Sequence, residues 1–230
     1  MTSRSEPLGY KSALRAVEGG RAKFFGGADV DVPVSHSAEI AFDDLTPQFG
    51  YVGTDYQLSR VLILGINPGN GPRSRRDAGD AISLPAFRQF AADLSPQSFQ
   101  RAQSAYRQVC HGWPIWRRHC VPLLEAGRLS ADDVAYSSCL PWRTRSEAAF
   151  ARPIAERAVQ LYTRPLIEEL QPRVLIALGK RVADVLTIGG FDFPDLVVWN
   201  RARAPNRSVV EERTQALQML RDLLRVGVAT

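Results

Sequence analysis

Four short apolar runs punctuate the chain: Val61–Leu64, Val134–Leu140, Val174–Leu178 and Leu196–Trp199. Runs of this length without polar alternation predict strands covered on both faces, as inside a parallel sheet. Between them the apolar positions change to helical spacing. Leu84–Leu94 aligns Phe87, Phe90, Ala91 and Leu94, with Pro85 in a first turn, where proline is tolerated. Residues 98–127 read as mainly helical, with Tyr106, Val109, Trp113, Trp116, Val121 and Leu124 as core candidates. Thr144 and Glu147 have capping-box spacing, and the helix they predict runs through Ile154, Ala158, Leu161 and Ile167, broken at Pro153 or Pro165. Gly179-Lys180 opens another helix. Ser208 and Glu211 form a second capping box before the stripe Leu217, Leu220, Leu224. Helices alternating with covered strands predict one α/β domain built on an open parallel sheet.

The first 58 residues carry less pattern. Ser12–Ala22 suits a short helix, Phe24–Gly27 a loop and Val30–Val34 a short strand, and His36 reads as a surface or structural histidine. This segment is expected to be an N-terminal extension (residues 1–58) packing on a core domain at 59–230.

Composition narrows the class. A chain of 230 residues with 45% apolar and 23% charged residues is ordinary for a soluble globular protein. No apolar run approaches the roughly 20 residues of a membrane span, and Met1–Pro7 lacks the apolar core of a secretory signal. A cytoplasmic monomer without membrane contact is expected. Cys110, Cys120 and Cys139 cannot form an even disulfide framework, which suits a reducing compartment. Cys110-His111 and His119-Cys120 make a symmetric pair of couples, but neither Cys-x-x-Cys nor His-x-x-x-His spacing accompanies them. Packed thiols and histidines are the better reading, and no metal or cofactor is expected.

The net charge of +5 favours a polyanionic partner. Of the 29 basic residues 26 are arginine, and their positions matter more than their number. Three predicted strands run into arginine-bearing loops: Arg73, Arg75 and Arg76; Arg143 and Arg145; Arg201, Arg203 and Arg207. Ligands of open α/β sheets bind outside the carboxyl ends of the strands, and right-handed crossovers bring these loops to that one edge. Two of the loops add an amide at the strand end, Asn67 and Asn200, able to read a base edge or hold a water. The first loop, Gly65-Ile-Asn-Pro-Gly-Asn-Gly-Pro72, cannot turn directly into a helix, and its glycines allow close backbone approach to a ligand. Gly179-Lys180 mimics a phosphate-binding P-loop only superficially, because Val174 stands where that motif requires glycine and no Ser/Thr follows the lysine.

Arg60-Val-Leu-Ile-Leu-Gly-Ile-Asn-Pro-Gly69 resembles the first motif of the uracil-DNA glycosylase superfamily, with greatest likeness to its mismatch-specific uracil/thymine branch. Leu170–Lys180 is similar to that superfamily's third-strand segment, and Val198–Arg203 falls where the branch carries its second motif. The likeness spans about residues 58–225. It implies a three-layer α/β/α sandwich with a short, mainly parallel four-stranded sheet. It also implies hydrolysis of the N-glycosidic bond of a damaged or deaminated base flipped out of DNA. By this resemblance Asn67 would hold the attacking water, and the backbone at Gly65, Ile66, Pro68 and Gly69 would cradle the base. Ser137 (or its neighbour Ser138) and Asn200 would contact substrate, while the loop arginines would grip single- or double-stranded DNA. No metal or organic cofactor is implied; three cysteines fall short of the four that hold an iron–sulfur cluster. The second motif here reads Asn200-Arg-Ala, and residues 70–84 hold no aromatic platform for the base, leaving Phe87 or Trp142 to take that place. Two alternatives stay open: a catalytically silent glycosylase-fold protein binding nucleic acid or a nucleotide, and a hydrolase or transferase acting on a free nucleotide.

Overall fold

The central strand is β2, Val61–Gly65, buried at every position. In the computed structural model, which describes residues 6–25, 46–68, 73–142, 152–191, 193, 195–202 and 204–226, it pairs in parallel with β3 (Val134–Ser138) on one side and β4 (Val174–Leu178) on the other. Beyond β4 lies β5 (Leu196–Trp199), also parallel. The predicted four strands are therefore present, and a fifth joins them: β1, Tyr51–Val52, antiparallel to β3 at the far edge, giving the order β1-β3-β2-β4-β5. Two residues carry no pattern a sequence can show. What admits this strand is Gly50, whose φ of +76° disfavours any side chain and whose Cβ would lie 1.9 Å from the Tyr136 carbonyl oxygen. Phe49, Tyr51 and Tyr56 are buried in the common core, so the sheet begins before the expected boundary at residue 59. The expected strand at Val30–Val34 lies outside the described residues.

Helices cover both faces, and the molecule is a three-layer α/β/α sandwich. Register places Tyr51, Tyr136, Ile63, Ile176 and Val197 on one face, which continues to Ser138, Gly65, Leu178 and Trp199 at the carboxyl edge. Here pack α4 (Pro96–Cys110), α5 (Val121–Gly127) and α9 (Arg207–Val226), with Trp116 edge-on to Tyr136 at 5.5 Å. The opposite face carries α1 (Tyr10–Phe25), α6 (Arg152–Ala158), α7 (Arg164–Leu170) and α8 (Lys180–Ile188). A single-turn helix α2, Tyr56–Ser59, precedes β2, and α3, Arg73–Asp93, packs on α4.

Two predicted boundaries move. The helix expected to start at Leu84 begins at Arg73, immediately after the loop prolines and glycines end, and Pro85 lies in its interior rather than its first turn. The long helix expected through Ile154–Ile167 is two helices joined by a π-helical turn, Val159–Thr163. A second such turn, Trp116–Cys120, precedes α5. Each leads into a helix with proline at its first positions, Pro165 and Pro122. A proline has no N–H for the carbonyl four residues back and its ring crowds that oxygen, so the widened turn relieves both. The Thr144/Glu147 capping box lies outside the described residues. At the last helix the cap is Asn206, whose Oδ1 accepts from Val209 N–H at 3.0 Å, and not Ser208. No helix among the described residues is long and apolar enough to cross a membrane.

Candidate functional site

Three strands deliver the polar residues singled out above to one edge of the sheet. After β2 the chain runs on beside β3: Cys139 N–H donates to Gly65 O at 2.9 Å and Leu140 N–H to Ile66 O at 3.1 Å. This extension of the ladder fixes the backbone at Gly65 and Ile66. Ile66 belongs to the core, Pro68 is buried, and Asn67 between them is half-buried. Asn67 ends β2 and Asn200 ends β5, with β4 between, so two strand spacings, about 10 Å, separate the two strand ends. Gly69, Arg143, Arg145 and Arg203 lie outside the described residues. Arg73, Arg75 and Arg76 fall in the opening turns of α3.

The β5 end is organised by α9. Asn200 Nδ2 donates to Glu212 Oε2 at 2.7 Å, and its Oδ1 accepts from Ala202 N–H at 3.0 Å. Glu212 also receives Lys180 Nζ at 3.1 Å. These donors hold its carboxyl below the ordinary carboxylate range. Arg213 Nε donates to Asn200 O and an Arg213 Nη to Ala202 O, both at 2.8 Å. Its guanidinium also stands 5.3 Å from the Trp199 ring centroid. Trp199 Nε1 in turn donates to His119 Nδ1 at 3.1 Å. An indole N–H can only donate, so Nδ1 is unprotonated and the ring proton sits on Nε2. Burial first, then the charges of Arg201, Arg213 and Arg118, push the His119 pKa down to about 4. His119 is neutral at physiological pH.

Arg201 turns inward. Its aliphatic stem packs over Gly179, Cδ lying 3.5 Å from where a Cβ would stand, and Gly179 itself has φ +107°. The guanidinium carries its charge to the neighbourhood of His119, Cys120 and Tyr136, and its Nε is buried without a hydrogen-bond partner. The Tyr136 hydroxyl, on the same face, stands 3.8 Å from the Cβ position of Gly65, and Ser138 Oγ stands 3.6 Å from it. Arg207 is different: it is exposed and ion-paired to Glu211 one turn along α9 at 2.9 Å.

Two expected substrate contacts are engaged elsewhere. Ser137 is on the opposite face from Gly65, where its Oγ bonds Phe49 O at 3.0 Å and Tyr162 Oη at 2.9 Å inside the core. The serine beside the first loop is Ser138. Asn200 is likewise bound to Glu212 and Ala202 and shapes its own loop. Neither proposed replacement for the aromatic platform offers a ring face: Phe87 is wholly buried between Phe49 and Tyr106, and Trp142 is buried at the β3 end. The three cysteines are buried free thiols, with burial holding all three thiol pKa values up, that of Cys139 to about 12. No group of three or more potential metal ligands occurs among the described residues.

Arg213 is the residue sequence reasoning passed over. It did leave a signal, because it sits on the stripe Val209, Arg213, Ala216, Leu220 that α9 turns toward the sheet, where a charge requires partners. The fold and this edge define an α/β protein with polar and basic side chains at the carboxyl ends of its parallel strands. No protein-family model matches the chain, and no curated protein matches it.

Proposed function

We propose that the protein is a monofunctional DNA glycosylase, hydrolysing the N-glycosidic bond of a uracil-type base flipped out of DNA. The reading rests above all on the position of Asn67, a half-buried amide just past the carboxyl end of the central parallel strand, where the preceding Gly65 and Ile66 carbonyls accept from the chain that leaves β3. The sequence resemblance of the same segment supplies the reaction. In that reaction a water held by the Asn67 side chain adds to C1′ of the flipped nucleotide as the bond from C1′ to the base nitrogen breaks. The electron pair leaves with the base, which takes up a proton from water, and the sugar keeps the hydroxyl. Catalysis of this kind depends on positioning the water, since the motif contains no carboxylate to act as base.

Oligonucleotides carrying uracil, hypoxanthine, xanthine or mismatched thymine, single- and double-stranded, test the reading after alkaline cleavage of abasic sites. Scission of at least one is expected, and Asn67→Ala should lower it by about 100-fold or more while DNA affinity is retained. Full activity in that variant rejects Asn67 as the catalytic group; absence of scission on every substrate rejects the reaction. One observation favours a second reading: Ser137 and Asn200, both expected to read the base, have their hydrogen bonds within the protein. A glycosylase-fold protein that binds nucleic acid without cleaving it would show no scission together with binding that weakens steeply in salt.

A further inference from the structure

The corner of the sheet between β3 and α3 holds an amide that the protein leaves unpaired. Gln48 stands just before β1, and because β1 runs antiparallel to β3, this end of it lies at the carboxyl ends of the parallel strands. Its backbone N–H donates to Pro141 O at 2.7 Å, while the N–H of Leu140, the residue before Pro141, donates to Ile66 O at 3.1 Å. Two strand spacings, about 10 Å, therefore separate the Gln48 backbone from the first loop. The helix that follows this loop, α3, closes the corner from the other side: Phe87 and Phe90 meet the Phe49 ring edge-on at 6.0 and 5.9 Å. Gln48 is 2% exposed, and its Oε1 is buried with no hydrogen-bond partner among the described residues. No other side-chain amide oxygen among them is in that state. Ser137 and Asn200, by contrast, have their hydrogen bonds inside the protein. An unpaired buried carbonyl destabilises the free protein, and such a group calls for a ligand or an ordered water to complete it.

We propose that Gln48 is a specificity-determining residue, its Oε1 accepting the ring N–H of the base that enters this edge. This role rests on the glycosylase reading above and adds to it the feature by which a base is chosen. Deamination turns the ring acceptor N3 of cytosine into the N3–H of uracil, and N1 of adenine into the N1–H of hypoxanthine. An acceptor at the wall of the site therefore bonds the deaminated base and meets a lone pair on its parent. A site built around one hydrogen bond rejects analogues that lack it more strongly than an apolar pocket can, because the buried group is then left unpaired. The staggered torsions of the glutamine side chain let the amide turn from the strand end toward an entering base.

Free uracil, 3-methyluracil and cytosine are titrated into the whole protein. The Gln48 side-chain amide resonances, assigned by their loss in Gln48→Met, are followed by nuclear magnetic resonance. Saturable shifts with uracil are expected, with 3-methyluracil and cytosine binding at least tenfold more weakly. Gln48→Met should bind uracil at least tenfold more weakly than wild type and no longer prefer it to 3-methyluracil. Methionine replaces the unpaired amide at similar shape, so the thermal midpoint of this variant should equal or exceed that of wild type. A lower midpoint would mean that an ordered water pairs Gln48 within the fold, a structural role that overturns the assignment. Unmoved Gln48 resonances, a preference for cytosine, or wild-type uracil preference in Gln48→Met would overturn it as well. Free bases carry no glycosidic bond, which separates this test from catalysis. Uracil binding that needs Gln48, without scission of any oligonucleotide, rejects the glycosidic reaction and keeps the role of Gln48. Scission with unchanged base preference in Gln48→Met does the reverse.

Discussion

At the scale of single residues, the face of a strand decides what a side chain can do. Ser137 and Ser138 are neighbours in sequence, and nothing in Ser-Ser distinguishes them. Pairing with Gly65 sends Ser138 toward the first loop, while Ser137 faces Tyr162 and the Phe49 carbonyl. Ser137→Ala should therefore cost stability, about 1 kcal/mol for a buried hydrogen-bonded hydroxyl, with ligand affinity unchanged. Tyr162 Oη would still donate to Phe49 O, at 3.2 Å, which keeps the loss moderate. Ser138→Ala should have the reverse profile: stability within roughly 0.5 kcal/mol of wild type and altered affinity for whatever occupies the space over Gly65. Denaturant unfolding and oligonucleotide binding measured on both variants separate the two roles. A stability loss confined to Ser138→Ala would contradict the assignment.

At the scale of elements, the β5 loop takes its shape from α9, which returns to the sheet after it. Arg213 closes this relation by donating to two consecutive loop carbonyls and lying against Trp199. Its removal leaves those carbonyls without their charged donor, so Arg213→Ala should destabilise the protein by about 2 kcal/mol. The amide of Ala202, protected by Asn200 Oδ1, should also exchange faster with solvent. Arg213→Lys restores charge but not the two-pronged donor geometry, and should recover less than half of the protection. Unchanged exchange at Ala202 in the alanine variant would mean that Arg213 does not hold the loop. This dependence on a later helix also explains what the sequence conceals. Strands β2, β4 and β5 are legible because each is a continuous apolar run with an abrupt end. Strand β1 is two residues whose only credential is a partner in β3. The interior position of Pro85 is hidden because its helix starts in a stretch of arginine, serine and glycine with no apolar stripe. Asn67 and Asn200 are visible as amides at strand ends; that Glu212 immobilises one of them depends on how α9 docks, which local pattern does not encode.

At the scale of the whole molecule, charge and burial meet in the response to pH. His119 sits between β5, α9 and its own π-helical turn, and the groups acting on it are Arg201, Arg213 and Arg118, with Trp199 donating to its Nδ1. Protonation at Nδ1 would both break the indole hydrogen bond and add a cation among three others. The folded state therefore resists it down to about pH 4, whereas the unfolded chain protonates near the ordinary histidine value of about 6.5. Between those values the unfolded state binds more protons, so stability is fully present above about pH 6.5 and falls as pH drops toward 4. His111, also lowered by burial, acts in the same direction. The His119 contribution is isolated by His119→Gln, whose amide oxygen can accept the Trp199 N–H without titrating. Thermal midpoints of the two proteins should converge as pH falls from 7 to 4 if the variant starts less stable, or separate with the variant higher if it starts equal, because only the wild type loses this contribution. A midpoint difference independent of pH over that range would show that His119 does not titrate with unfolding.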